Sequence, residues 1–193
     1  MSVDPIRRFH RWFTAAQRHA AIAQPEAMAL ATADRHGRPS ARMVLLKHAD
    51  AEGFVFYTNA DSRKGDELLA NPHAALVFHW QPLGRQVRVE GRVTQVSDAE
   101  ADAYWTTRPR ESQLGGAASA QSQPIASRSA LLARWRGLAR RLRGQPVPRP
   151  PHWTGFRVAP DVIEFWSQRP YRMHDREVFT RTRRGWSMRR LQP

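Results

Sequence analysis

Residues 85–96 carry the clearest alternation in the chain. Gln86, Arg88, Glu90 and Arg92 fall on one parity, and Val87, Val89, Gly91 and Val93 fall on the other. A period of two sends these sets to opposite faces of a half-buried strand. Eight further runs read as strands: 27–34, 40–47, 53–59, 73–81, 154–159, 162–167, 175–181 and 185–191. They do not alternate regularly with helices, which argues against a doubly wound parallel sheet. The pattern predicts a mainly β fold, a mostly antiparallel barrel with peripheral helices.

Four helices are predicted around these strands. Asp4-Pro5 reads as an N-cap and first-turn proline, and Ile6, Phe9, Trp12, Phe13 and Ala16 recur at helical spacing, so a helix is expected from 4 to about 22. A short helix over 62–70 stops at Asn71-Pro72. Ser97 and Glu100 form a capping box for a helix reaching about Thr107. The fourth spans about 127–143, with Leu131, Leu132, Trp135, Leu138 and Leu142 as a core stripe. Residues 109–126 are expected to be irregular, and the proline-rich QPVPRPP is a linker.

At 193 residues the chain suits one domain, 1–193, with a sizeable core. No apolar stretch approaches the roughly 20 residues of a membrane helix, and no secretory signal opens the chain. Cysteine is absent, which rules out disulfides and thiolate metal sites. A cytoplasmic protein with no membrane partner is expected. The net charge of +14 raises nucleic acid as a partner. The arginines are dispersed, however, and the densest run, Arg134 to Arg143, forms the solvated face of a helix. A basic nucleic-acid-binding domain is therefore a rival and not the expectation.

Only two of the 31 basic residues are lysines, and both lie in the block from Arg42 to Lys64. On a strand, Arg42, Val44 and Leu46 share one face, while Met43, Leu45 and Lys47 share the other. Arg42 and Lys47 thus point opposite ways, which implies two anions or a bend. Thr58 precedes Ser62, Arg63 and Lys64 at a helix start, where free N–H groups and the dipole favour a phosphate. A second constellation sets Tyr104, Arg108 and Ser112 four residues apart, with Pro109 bending or ending the helix. A third puts Arg172, His174 and Arg176 on one face if that segment is extended, after Trp166. The eight histidines show no metal-ligand spacing, so no metal is expected.

These motifs resemble the pyridoxamine 5'-phosphate oxidase family. RMVLLK, FYTN, SRK, RQVRVEG, RPRESQ, QS, EFW, RMHDR and the closing RRLQP carry the similarity, from about Asp4 to Pro193. It implies an FMN-binding split β-barrel that works as a homodimer, with FMN at the interface. By that resemblance Arg42, Arg63 and Lys64, with Thr58, Ser62 and Ser122, hold the FMN phosphate and ribityl chain. Met43, Val44, Leu45, Leu46, Lys47 and Tyr57 line the cofactor, and Gln86, Gln121, Trp166 and Arg176 contact or flank the flavin. Lys47, Tyr104, Arg108 and Ser112 bind the substrate phosphate. Arg172 and His174 sit by the substrate's pyridine ring as positioning and electrostatic groups. The implied reaction converts pyridoxamine or pyridoxine 5'-phosphate to pyridoxal 5'-phosphate by hydride transfer to the flavin. Oxygen then reoxidises the flavin and yields hydrogen peroxide, and the amine substrate also releases ammonia.

Two departures accompany the resemblance. Members often carry a longer N-terminal arm, whose Arg and Tyr help close over the substrate, whereas this chain starts almost at the first helix. Gln24 stands where some relatives have Asp. The nearest rivals are an FMN oxidase acting on another aromatic substrate, as in phenazine biosynthesis, and a flavin-binding protein without oxidase activity.

Overall fold

A computed structural model of the chain describes residues 4–193. The first three residues of the expected domain lie outside the described residues. Nine strands are present: β1 (Ala27–Ala33), β2 (Pro39–Leu45), β3 (His48–Ala49), β4 (Phe54–Asn59), β5 (His73–Trp80), β6 (Arg85–Gln95), β7 (Trp153–Ser167), β8 (Asp175–Thr182) and β9 (Gly185–Leu191). Five α-helices accompany them: α1 (Pro5–Gln17), α2 (Arg63–Ala70), α3 (Asp98–Thr107), α4 (Arg110–Ala118) and α5 (Arg128–Arg141). No helix among the described residues is long and apolar enough to cross a membrane.

Among the described residues every strand pairing is antiparallel, in the order β2-β1-β5-β6-β7-β4-β3, with β8 and β9 branching from β7. One edge of β7 is therefore divided. Its first half pairs with β4 and its second half with β8. The sheet curls until the chain leaving β2 meets β4, where Lys47 N–H donates to the Val55 carbonyl at 2.8 Å. The result is the expected split β-barrel. Val87, Val89, Gly91 and Val93 of β6 are buried, as their parity predicts.

The barrel is filled by aromatic and branched side chains, and α1 closes it. Phe9 is fully buried, 4.8 Å edge-on from the Phe54 ring and 5.1 Å from Phe78. Burial of such a ring contributes about 1.5–3 kcal/mol. The periodicity that drives α1 into the core ends at Ala16, and the helix stops at Gln17 rather than near residue 22.

Other boundaries differ for physical reasons. Residues 109–126 are not all irregular, because Pro109 opens α4, whose Leu114 is buried beside Trp105 and Trp153. The runs 154–159 and 162–167 are one strand. A bulge at Pro160-Asp161 absorbs the extra residue opposite Glu90 and Gly91. Gly91 permits it, since a Cβ there would sit 1.9 Å from the Ala159 carbonyl oxygen. The α5 stripe is only half-buried: Trp135, Leu138 and Leu142 pack on the small Trp105/Leu114/Trp153 cluster and not in the barrel core.

Candidate functional site

A cleft of about 420 Å³ lies where β2, β4, α2 and the α3–α4 junction meet. The residues Met43, Val44 and Leu45, with Lys47, form one wall, and Tyr57 and Thr58 of β4 form another. Lys64, Gln121, Tyr104, Arg108 and Ser112 complete it. Two sets expected from sequence to serve different phosphates thus line one volume. Leu46 differs: its side chain is in the core, 6% exposed, and its N–H is spent on the Glu26 carbonyl.

Lys64 sits at the start of α2, which Ser62 caps by accepting from Gly65 N–H. Its ammonium is buried and donates to Thr58 Oγ1 at 3.0 Å, Ser62 Oγ at 3.0 Å and Gln121 Oε1 at 2.9 Å. All three acceptors are neutral. Burial, reinforced by nearby Arg42 and opposed by Glu67, pulls its pKa from 10.5 down to about 8.

Arg108 ends α3 in extended conformation, where Pro109 disfavours another helical residue. Its guanidinium lies between two indoles, 4.9 Å from the Trp105 ring centroid and 4.7 Å from Trp153. Gly116 of α4 leaves room for it, since a Cβ there would approach Nη1 to 3.1 Å. Nη1 is buried with no hydrogen-bond partner, and burial lowers the pKa of the group. A desolvated cationic donor without an acceptor is costly unless an anion completes it. Tyr104 stacks on Tyr57 at 4.0 Å, and burial pushes the Tyr57 phenol up to about 12, so Tyr57 keeps its proton near pH 7.

Arg42 and Arg63 do not line the cleft. Arg42 instead bonds Thr32, Ser40 and Glu67, while Lys47 lies beyond the end of β2, which stops at Leu45 rather than 47. Arg63 gives its Nε to Glu67 at 2.8 Å. Glu67 is 5% exposed, and its carboxylate accepts from Ser40, Thr32, Arg63 and Arg42. Burial alone would raise its pKa, but these four donors outweigh it and bring it to about 2. Glu67, Thr32 and Ser40 were not singled out in the sequence. The available signals were a polar Thr32 on the buried parity of β1 and the i,i+4 spacing of Arg63 and Glu67.

A third group gathers elsewhere. Gln86 pairs in register with Trp166, and Trp166 with Arg176. His174 lies 4.6 Å from the Trp166 ring and accepts the Arg169 N–H at Nδ1, so the neutral ring carries its proton on Nε2. Arg176 is clamped by Glu164, which raises its pKa. The expectation of one extended face fails for Arg172, because Tyr171 and Arg172 turn left-handed, at φ 57° and 60°, in a short 3₁₀ segment. Arg172 is exposed there. Ser122, exposed at φ 70°, is also outside the cleft lining.

The third group and the cleft lie toward opposite ends of β7. Gly155 pairs with Tyr57 of the cleft, and Trp166 is eleven residues further along the same strand. At about 3.3 Å per residue this is roughly 35 Å, shortened by the bulge and the curl of the sheet.

Residues 14–138 match the family described as pyridoxamine 5'-phosphate oxidase, and residues 153–193 match the pyridoxine 5'-phosphate oxidase C-terminal dimerisation region. A pyridoxine/pyridoxamine 5'-phosphate oxidase of Myxococcus xanthus (strain DK1622) is 57% identical over 98% of this chain and 92% of its own length. One from Gluconobacter oxydans (strain 621H) is 53% identical over 100% and 96%. Among solved structures, PhzG from Burkholderia lata 383, in complex with tetrahydrophenazine-1-carboxylic acid, superposes with TM-score 0.93 at 34% identity. That match covers 98% of this chain and 93% of PhzG. A pyridoxamine 5'-phosphate oxidase-related, FMN binding protein from Nostoc punctiforme PCC 73102 has TM-score 0.80 at 19% identity, covering 100% of both chains, and so shares the fold.

Proposed function

Because the chain belongs to the pyridoxamine 5'-phosphate oxidase family, we propose that it oxidises pyridoxamine and pyridoxine 5'-phosphates to pyridoxal 5'-phosphate. FMN is the cofactor and oxygen the acceptor. Oxygen leaves as hydrogen peroxide, and the amine also takes up water and releases ammonia. The whole chain, 1–193, acts as one FMN-binding domain in the cytoplasm.

One observation carries this reading: one cleft holds the buried ammonium of Lys64 and the buried Nη1 of half-buried Arg108, and neither bonds a carboxylate among the described residues. A ligand pair bearing two phosphates fits that arrangement. Lys64, Thr58 and Ser62, joined by Arg42, Arg63 and Ser122, would hold the FMN phosphate and ribityl chain. Met43, Val44, Leu45, Lys47, Tyr57 and Gln121 would line the flavin from the same copy, and Gln86, Trp166 and Arg176 would flank it. Bound FMN supplies the hydride acceptor that protein side chains lack.

The chain's own residues bind and orient. Lys47, which has no ion-pair partner among the described residues, acts with Tyr104, Arg108 and Ser112 on the substrate phosphate. A charge-assisted bond to the bare Nη1 of Arg108 contributes about 1.5–3 kcal/mol. The Tyr57–Tyr104 stack keeps water from that side of the cleft. His174 offers its Nε2–H, and Arg172 its exposed guanidinium, to the pyridine ring. Neither acts as an obligatory base. Since one β7 separates these groups from the cleft, they reach it from the second copy of a homodimer, with FMN at the interface. The match to a dimerisation region over residues 153–193, which contains both, supports this assembly.

A phenazine-type oxidase is the second reading, favoured by the PhzG superposition. The higher identity to the vitamin B6 oxidases, 57% against 34%, weighs against it. The test is an absorbance spectrum of the purified protein, then an assay with pyridoxamine 5'-phosphate. Flavin absorbance, pyridoxal 5'-phosphate formation and matching oxygen uptake are expected. A colourless protein that stays inactive after FMN addition overturns the reading.

A further inference from the structure

Among the described residues, Glu67 is the buried carboxylate that bonds the arginines assigned to the cofactor phosphate. Its Oε2 accepts from the Thr32 and Ser40 hydroxyls and from Arg42, and its Oε1 accepts from Arg63. Arg42 is held further by its bonds to Thr32 and Ser40, so its guanidinium has one orientation. Arg63 is held differently. It is tethered through Nε alone, its side chain is 67% exposed, and neither Nη donates to a described residue. A guanidinium fixed at Nε with both Nη groups free presents the fork that grips a phosphate in two places.

The charges agree with this geometry. Arg42, Arg63 and Lys64 crowd around the first turn of α2, and their mutual repulsion opposes the arrangement. Arg42, Arg63, Lys64 and the buried Glu67 together carry +2, with the exposed Asp66 of the same turn left outside that count. That balances a phosphate monoester, which carries about −1.5 to −2 near neutral pH. A single buried acid thus joins β1, β2 and α2 and sets both the direction of the two arginines and the charge of the cluster.

We propose that Glu67 is a positioning residue for the FMN phosphate, orienting Arg42 and Arg63 through its buried carboxylate without touching the cofactor. This rests on the FMN reading above.

The experiment titrates flavin fluorescence with wild-type protein and Glu67→Gln, using FMN and riboflavin as separate probes. Riboflavin lacks only the phosphate. Glu67→Gln is expected to weaken FMN binding at least about tenfold, the loss that follows from disorienting one charge-assisted contact, while riboflavin affinity stays within about twofold. Unchanged or tighter FMN binding overturns the proposal, and so does equal weakening of both flavins, which marks general damage to the fold. Should Glu67→Gln fail to fold, Ser40→Ala removes one donor to the same carboxylate and reads the same ratio. It is expected to weaken FMN selectively, and equal effects on both flavins count against the proposal. Wild-type protein that binds FMN no better than riboflavin overturns the cofactor reading itself.

Discussion

Lys64 is buried and Arg108 partly so, neither bonds a carboxylate among the described residues, and burial lowers the pKa of both. Lys64 titrates near 8 in the free protein, mainly because burial disfavours the ammonium. A bound phosphate dianion favours the ammonium and raises that value. Above about 8 the free protein has therefore lost a proton that the complex retains, so FMN affinity falls with pH there, by up to about tenfold per unit. Below about 6 the phosphate gains its second proton and attraction weakens again. FMN should bind most tightly between these limits, as read by titrations from pH 5 to 10, while riboflavin stays flat. An FMN affinity that does not change from pH 7 to 10 would contradict the role of Lys64. For the other pole, Lys47→Ala and Arg108→Ala should each raise KM for pyridoxamine 5'-phosphate about ten- to a hundredfold with FMN still bound. Loss of FMN in these variants would sink the division into two phosphates. In the sequence, strand parity implies two anions or a bend, and the division between two phosphates comes from the family resemblance. Glu67 is not legible there, since its donors Thr32 and Ser40 come from two other elements and mean nothing until β1, β2 and α2 pack together.

At the scale of elements, local periodicity was legible wherever one face is buried. The alternation of β6 and the caps Asp4, Ser62 and Ser97 mark real boundaries. The errors arose where tertiary packing overrides propensity. Gly115 and Gly116 disfavour a helix, yet α4 forms because Leu114 is buried and Arg110 donates to the Leu142 and Gln145 carbonyls beside the end of α5. Pro160 reads as a strand end, but the bulge opposite Gly91 lets β7 continue. Gly91→Ala should therefore cost about 1–3 kcal/mol, by forcing a Cβ into the Ala159 carbonyl. Calorimetry should show Tm lowered by roughly 2–4 °C per kcal/mol for a chain of this size. An unchanged Tm would mean that the β6–β7 bulge is not held by that close approach.

For the whole molecule, β7 sets the main constraint. It begins beside Tyr57 and Trp153 of the cleft and ends beside Trp166 and His174, so within one copy the two groups lie far apart. No pattern within a single chain reveals that separation. It emerges only when 154–159 and 162–167 prove to be one strand. In the function proposed above, two copies related by a twofold axis would bring the cleft of one to the third group of the other. The decisive measurement pairs Lys47→Ala/Arg108→Ala, which spoils the cleft, with Arg172→Ala/His174→Ala, which spoils the other half. The two proteins are co-expressed with different tags, and doubly tagged dimers are isolated to ensure that mixed pairs are assayed. Each mixed dimer then holds one site with all four changes and one with none, so it should recover about half the wild-type rate of pyridoxal 5'-phosphate formation. A mixed dimer no more active than its two inactive parents would contradict the account.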